Sequence, residues 1–198
     1  MNNELILRNV EKHISLNEDE QKFFLSLLER RVLKKKTLFL QPGEVCRHSA
    51  FVVDGALKSY TVDPDGKEHI LSFAMQDWWI SDLYSLISQK PAILYIEAIA
   101  DAEVLMLSRD NQQLLFEKVP QFERFFRILI EKALVANRQR LIDNLSSTAE
   151  ERYLRFLEKY PSVPACVPQH NIASYLGITP EFLSKIRARL ARGEGKGS

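Results

Sequence analysis

The chain has 198 residues, enough for one large domain or for a medium-sized domain joined to a small one. With 45% hydrophobic residues and a net charge of +1, it can build a core, and bulk positive charge does not hold it on nucleic acid. Two cysteines, Cys46 and Cys166, are too few for a disulfide framework or an all-cysteine metal site. The first residues show no apolar signal region, and no window approaches the roughly 20 apolar residues of a membrane helix. We therefore expect a cytoplasmic protein that does not enter a membrane.

The N-terminal part predicts one helix, from Leu16 to Leu28, in which Asn17 and Glu20 resemble a capping box. A basic stretch, Arg30–Lys36, follows. We interpret it as a solvated connector rather than a nucleic-acid surface, because strand-like sequence begins directly after it.

From Thr37 to about Leu107 the apolar period changes toward two, and short apolar runs alternate with turn residues. Asp63–Gly66 separates two such runs and is typical of a hairpin turn, since glycine adopts positive φ at little cost. Tyr95–Ala100 and Glu103–Leu107 predict a later strand pair. Many short strands at this spacing indicate a barrel or jelly roll.

Helical spacing returns at Asn111–Phe116. From Pro120 onward it predicts a helix of about 25 residues, near 38 Å long. Its apolar face is too wide for one small barrel to cover. We expect one stripe to pack on the barrel and the other to meet a second copy of the chain, which gives a homodimer. The predicted residues of this dimer helix are Phe122, Phe126, Leu129, Ile130, Ala133, Leu134 and Leu141.

Beyond the long helix, Ser147–Glu150 resembles a second capping box and begins a helix that runs to about Tyr160. Pro161, Pro164 and Pro168 prevent that helix from continuing. The predicted divisions are a sensor domain at 1–117, the dimerisation helix at 118–146, a DNA-binding domain at 147–192 and a flexible tail at 193–198.

The last segment, Gln169–Leu190, predicts a helix–turn–helix. Gly177 ends the first helix, Thr179 caps the second and Pro180 fits its first turn. From Pro168 to Arg192 there are four Lys or Arg against one Asp or Glu, a local surplus of three positive charges. A cationic second helix with a free N-terminal end suits reading of the DNA major groove. An ordinary helical hairpin with a solvated charged face is the alternative.

Over about residues 14–192 the chain resembles a Crp/Fnr-family transcription regulator. The resemblance depends on Gln41–Glu44, Phe51–Gly55, Lys58, Asp65–Glu68, Asp77, Ala98–Leu107, the long helix and the helix–turn–helix. It implies an α+β chain with an N-terminal jelly-roll β-barrel of the cyclic-nucleotide-binding type, a long dimerisation helix and a C-terminal helix–turn–helix domain. The implied partners are double-stranded DNA with a two-fold-symmetric site, a second copy of the chain, RNA polymerase and a small-molecule effector.

The resemblance also implies roles for single residues. Gln169 and His170 would meet phosphate, while Pro180, Glu181 and Lys185 occupy the three base-reading positions. Pro180 departs from the arginine that relatives often carry and cannot donate a hydrogen bond, whereas Glu181 can accept from cytosine and Lys185 can donate to guanine or phosphate. The full predicted DNA-binding set is Gln169, His170, Thr179, Pro180, Glu181, Ser184, Lys185, Arg187 and Arg189.

The sensor pocket departs from nucleotide-binding relatives, in which a Gly-Glu-Leu segment holds ribose and an Arg-Ser/Thr-Ala segment holds phosphate. Ser81-Asp82-Leu83 replaces the first, and Pro91–Leu94 stands where the arginine belongs. Lys90 lacks the bidentate fork of arginine. We therefore expect no tight cyclic AMP binding. The candidate effector-pocket residues are Trp78, Trp79, Ser81, Asp82, Leu83, Tyr84, Ala92, Ile93, Tyr95, Asn137 and Arg138.

Two of these assignments have open alternatives. The aromatic residues Trp78, Trp79, Tyr84 and Tyr95 would line an apolar pocket or fill the core, and we favour core for at least two of them. Asn137 would contact an adenine or act as a polar residue that sets the register of the dimer helix.

The four histidines are scattered without metal-ligand spacing, so we expect no metal, no cofactor and no enzyme. The sequence thus predicts a homodimeric DNA-binding transcription regulator. One alternative is a degenerate sensor or protein-interaction module that does not read DNA. Another is a cupin-like metalloenzyme built on the same barrel.

Overall fold

A computed structural model describes residues 3–192. Its elements in chain order are α1 (Glu4–Glu11), α2 (Glu18–Ser26), β1 (Leu28–Leu33), β2 (Leu38–Leu40), β3 (His48–Asp54), β4 (Ala56–Val62), β5 (Glu68–Met75), β6 (Trp79–Ile80), α3 (Leu83–Ser88), β7 (Tyr95–Ala98), β8 (Ala102–Ser108), α4 (Arg109–Lys118), α5 (Gln121–Ser146), α6 (Ala149–Lys159), α7 (Val163–Cys166), α8 (Gln169–Leu176) and α9 (Pro180–Ala191). The chain divides into two compact units, residues 1–60 with 73–135, and residues 61–72 with 136–198. The flexible tail predicted at 193–198 lies outside the described residues.

The first unit is an antiparallel β-sandwich, as the α+β jelly-roll prediction requires. One sheet has the strand order β1-β8-β3-β6 and the other β2-β7-β4-β5. Alternate residues of a strand point to opposite faces of a sheet. Ala50 and Val52 of β3 accordingly join the core between the sheets, whereas Phe51 joins a second core. That second core is built with α1, α2, α4 and the first turns of α5, so the barrel is covered by helices on this side.

The predicted connector Arg30–Lys36 is wrong in its first part, which is strand, whereas residues 34–37 do connect β1 to β2. Leu28–Leu33 forms strand β1, which pairs antiparallel with β8, Arg30 opposite Leu105. The Arg30 guanidinium lies 2.6 Å from the Glu103 carboxylate, so cross-strand charge pairing accommodates basic side chains on an exposed strand. The prediction failed because this strand carries consecutive exposed, charged residues, whereas we expected a strand to alternate apolar and polar residues. Helix α1 was not predicted, although its buried Ile6 and Val10 lie four residues apart, at helical spacing.

The two strands near residue 100 do not pair with each other. Strand β7 pairs with β2 and β4, whereas β8 pairs with β1 and β3 in the other sheet. The connection around Asp101 therefore crosses between sheets instead of making a hairpin. The hairpin predicted at Asp63–Gly66 is confirmed, and Gly66 has φ +82°.

The helix α2 begins at Glu18 rather than Leu16, with the predicted Asn17–Glu20 capping box. The second capping box is shifted by one residue: Thr148 caps α6 and Glu151, not Glu150, reaches back to it. Neighbouring Ser147 and Thr148 are both good cap residues, and Thr148 adopts the extended φ/ψ that a cap needs.

Within residues 3–192, none of the helices is long and apolar enough to cross a membrane.

Candidate DNA-binding and sensor sites

The helix–turn–helix lies in the second unit and has the predicted turn chemistry. Gly177 ends α8 with φ +68° and ψ +33°, the left-handed conformation that glycine adopts without strain. Thr179 caps α9, and its Oγ1 accepts a hydrogen bond from the Phe182 amide at 3.2 Å. Pro180 occupies the first helical position. These contacts fix the position at which α9 begins relative to the end of α8.

One face of α9 is buried and the opposite face is free. Leu183 and Ile186 are fully buried, at three-residue spacing, in the unit that also buries Tyr153 and Phe156 of α6. Of the predicted DNA-binding residues, Arg187 is half-buried, whereas Gln169, His170, Thr179, Pro180, Glu181, Ser184, Lys185 and Arg189 are exposed. The packing thus presents the N-terminal half of α9 to solvent.

Two charges on this surface have local partners. The Arg189 guanidinium lies 3.0 Å from the Glu150 carboxylate of α6. The backbone amide of Glu181, with the Thr179 side chain, lowers the pKa of the Glu181 carboxyl. Glu181 is therefore an ionised, acceptor-only group at neutral pH, as a contact to a cytosine amino group requires.

A large aromatic residue of α9 escaped the sequence reasoning. Phe182 lies in the first turn and is 46% exposed. The inward positions Leu183 and Ile186 follow the helical period, and Phe182 is off that period by one residue. The helical period alone would have placed its ring outside the core.

Arg140 of α5 holds several main-chain groups of the second unit together. Its guanidinium donates to the carbonyls of Ile70 at 2.7 Å and Tyr175 at 2.9 Å, and to that of Leu71. It also stacks 4.1 Å from the centre of the Tyr175 ring. The Ser174 hydroxyl accepts from the Ile70 amide at 3.1 Å. The tip of the β4–β5 hairpin is thereby fastened to the first helix of the helix–turn–helix, a tertiary contact that leaves no pattern in the sequence.

Asp82, which we expected in place of a ribose-binding glutamate, caps its own helix. Asp82 caps α3, with Oδ1 accepting from the Ser85 amide at 3.2 Å. Its Oδ2 is buried and, among the residues that the structure describes, has no hydrogen-bond partner. The carboxylate is thus in place but faces the interior.

Pro91–Leu94, which we expected where relatives carry a phosphate-binding arginine, is hydrogen-bonded to the turn at residues 43–44. The amide of Ala92 donates to the Glu44 carbonyl at 2.7 Å, and the amide of Gly43 donates to the Ala92 carbonyl at 2.9 Å. Ala92 itself is buried. Its two main-chain groups therefore face the turn at 43–44, and its side chain brings no positive charge.

The remaining candidate pocket residues have different environments. Trp79 packs 5.4 Å from the Phe51 ring and donates to Asn9, and Tyr95 stacks 4.9 Å from Tyr60, so both contribute to packing. Ser81 is half-buried, while Trp78, Leu83, Tyr84 and Ile93 are exposed. Asn137 and Arg138 are exposed on the part of α5 that belongs to the second unit.

A buried charged pair, for which we had predicted no role, lies between β4 and β7. Lys58 is 5% exposed, and its Nζ lies 3.8 Å from the Glu97 carboxylate. The Tyr60 hydroxyl donates to Glu97 at 3.0 Å. The cross-strand register places Lys58 opposite Glu97, so only the strand pairing reveals the contact.

A cavity of about 360 Å³ opens elsewhere on the first unit. Its lining includes the side chains of Arg31, Glu44, Arg47 and His48, and none of the predicted pocket residues. Among the residues that the structure describes, no group of three His, Cys, Asp or Glu could hold a metal ion.

The dimer-helix residues divide along α5. Phe122 and Phe126 are buried in the second core of the first unit, and Leu129 packs against it. Farther along, Ala133 is half-buried, whereas Ile130, Leu134 and Leu141 are exposed. Val135, Ile142 and Leu145 are further exposed apolar residues of this helix.

Comparison with known proteins agrees with this architecture. Residues 30–118 match the cyclic nucleotide-binding domain family. The "Anaerobic regulatory protein" of Haemophilus influenzae is 22% identical over 190 residues, which cover 90% of this chain and 73% of that protein. The solved structure of FixK2 from Bradyrhizobium japonicum has a TM-score of 0.74 at 22% identity and covers 86% of this chain and 88% of that one.

A second solved structure, a transcriptional regulator assigned to the Crp/Fnr family from Eubacterium rectale, has a TM-score of 0.66 at 18% identity. It covers 92% of this chain and 88% of that one. The relatives in these comparisons are regulators and not enzymes. Residues 30–118 thus match the cyclic nucleotide-binding domain family, and the chain as a whole, with a helix–turn–helix after that domain, is similar to transcription regulators of the Crp/Fnr type.

Proposed function

We propose that this chain binds a two-fold-symmetric DNA site as a homodimer and regulates transcription through it, with RNA polymerase as a further partner. The observation that supports the proposal most is the solvent-facing N-terminal half of α9 on a helix whose opposite face is core. Lys185 and Glu181 lie on that free face, a donor and an acceptor for base edges. Gln169 and His170 begin α8 and would meet phosphate.

The homodimer is proposed from the exposed apolar side chains of α5. Ile130, Leu134, Leu141 and Leu145 recur at steps of four, seven and four, which places them on one face of the helix. A face of this kind is expected to pack against a second copy, as in a two-stranded coiled coil. Two-fold pairing would set two α9 helices on successive major grooves, about 34 Å apart.

We also propose that the barrel does not bind cyclic AMP in the usual way. A cyclic phosphate needs a charged, bidentate donor such as arginine, and Ala92 supplies none at that position. Leaving a buried phosphate unpaired would cost on the order of 2 kcal/mol or more. Any small-molecule effector would therefore be recognised by other groups. The residues present do not fit a cyclic nucleotide phosphate.

Calorimetric titration of the purified chain with cyclic AMP and cyclic GMP tests this part. We expect no saturable heat at micromolar ligand. A 1:1 isotherm per chain with micromolar affinity would contradict it.

DNA reading is tested at Lys185. Binding-site selection from random duplexes supplies a site, and Lys185→Ala is then compared with wild type by fluorescence anisotropy. We expect the variant to lose about 5- to 150-fold in affinity for each half-site, because a base contact is worth about 1–3 kcal/mol and the homodimer loses one contact in each half-site. The matched control is Lys159→Ala, on α6 outside the helix–turn–helix. Equal affinities for wild type and Lys185→Ala would favour the alternative, a sensor or interaction module that does not read DNA.

A further inference from the structure

The ring of Phe182 is placed on the surface that we propose for DNA. Its amide is held by the Thr179 cap, which fixes Phe182 in the first turn of α9. Leu183, the next residue, is fully buried, whereas Phe182 is 46% exposed. Glu181 precedes it and Lys185 follows one turn later, both exposed. A half-exposed phenyl ring thus lies on the same helix as two exposed charged residues, within one turn of each.

We propose that Phe182 contacts the C5-methyl group of a thymine in the major groove and so contributes to the sequence specificity of this regulator. This inference rests on the proposed DNA-binding function. A phenyl ring can make no hydrogen bond to a base edge, so apolar contact is the recognition it can supply. In the major groove the thymine methyl is the apolar group of the base edges, and phenylalanine is one of the side chains that contacts it.

The electrostatics around the ring favour DNA over a second apolar protein surface. The segment from Pro168 to Arg192 carries a surplus of three positive charges, and Lys185 lies one turn from the ring. Phosphates would be attracted to this surface, while a second copy of it would be repelled. The DNA groove would then bury the apolar surface of the ring that is exposed in the free protein.

The geometry of the helix limits where the thymine can lie. Consecutive Cα atoms are about 3.8 Å apart, close to the roughly 3.4 Å rise between base pairs. Phe182 directly follows Glu181, so we place the thymine within about two base pairs of the pair that Glu181 contacts. Two-fold symmetry puts one such thymine in each half-site.

Replacing single thymines by deoxyuracil in the selected duplex tests the inference, because deoxyuracil lacks only the methyl group. With the full-length chain, we expect one position per half-site at which the replacement weakens binding about fourfold, and about 15-fold when both half-sites are changed. Phe182→Ala should bind the thymine duplex more weakly and should not distinguish thymine from deoxyuracil. Leu154→Ala, which removes another half-exposed apolar side chain from the second unit, should keep the full discrimination.

The outcomes separate the inference from the proposed function. If wild type selects a site but no deoxyuracil replacement weakens binding, or if Phe182→Ala discriminates as wild type does, the thymine contact is wrong while DNA reading stands. If wild type selects no site, both fail. Circular dichroism of Phe182→Ala confirms that a loss of discrimination is not a loss of folding. If Phe182→Ala instead changes the oligomeric state and leaves discrimination unchanged, the ring covers a second copy and the inference is overturned.

Discussion

Gly55 shows how a single residue can be fixed by its surroundings. It links β3 to β4 with φ +82°, and a Cβ there would lie 2.3 Å from the Asp101 carbonyl oxygen. Gly43 has a similar φ of +90°, yet a Cβ added to it would meet nothing within 4 Å. Pro42 and Asp54 directly precede these glycines, a pattern typical of turns, but it does not distinguish the crowded turn from the open one, since the crowding comes from a residue 46 positions away.

We expect Gly55→Ala to destabilise the protein much more than Gly43→Ala. Both variants incur the cost of a left-handed alanine, about 1–2 kcal/mol. Gly55→Ala also forces Ala102 and the Asp101 carbonyl to move, which adds about 1–3 kcal/mol. Urea unfolding of the two variants measures the difference, and equal midpoints would contradict the crowding.

The start of α6 offers a test of the shifted cap. Thr148 accepts from the Glu151 amide, whereas the Ser147 hydroxyl accepts from Arg155 at the exposed surface. We expect Thr148→Ala to lower the free energy of unfolding by about 1 kcal/mol, and Ser147→Ala by less than about 0.5 kcal/mol. Thermal unfolding of both variants measures this. A larger loss for Ser147→Ala would restore the cap that the sequence suggested.

At the scale of elements, local signals were sufficient and distant pairings were not. The Asn17 cap, the Asp63–Gly66 turn, and the Gly177 and Thr179 turn chemistry were all readable, because each depends on neighbours within four residues. The strand nature of Leu28–Leu33 and the separation of β7 from β8 were not, because partner strands that are distant in sequence decide them. The sites followed the same rule. The free face of α9 came from periodicity, whereas the hold of Arg140 on the hairpin required tertiary structure.

The hydrogen bonds of Arg140 to the hairpin and to α8 can be tested by substitution. We expect Arg140→Met to lower the free energy of unfolding by about 2–3 kcal/mol, because the carbonyls of Ile70, Leu71 and Tyr175 lose their donor while a side chain of similar length remains. Hydrogen exchange should show faster exchange of the Ile70 amide, whose acceptor is on α8.

The matched control for this prediction is Arg138→Met. It removes an exposed arginine two residues away on the same helix and should change stability by less than about 0.5 kcal/mol. Similar losses of unfolding free energy for the two variants would show that the hydrogen bonds of Arg140 to the main chain add little to stability.

At the scale of the whole molecule, the sequence predicted the order of sandwich, long helix and helix–turn–helix, since each has its own period along the chain. It could not specify an effector. Asp82 and Ala92 were recognised as departures from nucleotide-binding relatives. The Asp82 cap depends on Ser85, three residues along the chain, whereas the bonds of Ala92 to the turn at Gly43 join segments that are distant in sequence. The cavity beside Arg47 and the buried Lys58–Glu97 pair were likewise beyond any local pattern.

The proposed dimer is tested on α5 with three lysine variants. Leu134 and Leu141 are 67% and 61% exposed on one face, and Gln139 lies on the opposite face. We expect Leu134→Lys and Leu141→Lys to give monomers in sedimentation equilibrium, because each would bury a charge in the paired face. Gln139→Lys should remain dimeric. Monomeric wild type, or dimers for all three variants, would contradict pairing through this face.

The most direct test of the account is binding-site selection by the wild-type chain from random duplexes at moderate ionic strength. We predict that one two-fold-symmetric sequence will be enriched, with half-sites that lie about 34 Å, one helical turn, apart. Recovery of duplexes without any shared sequence, or of a single half-site without a symmetric mate, would contradict it.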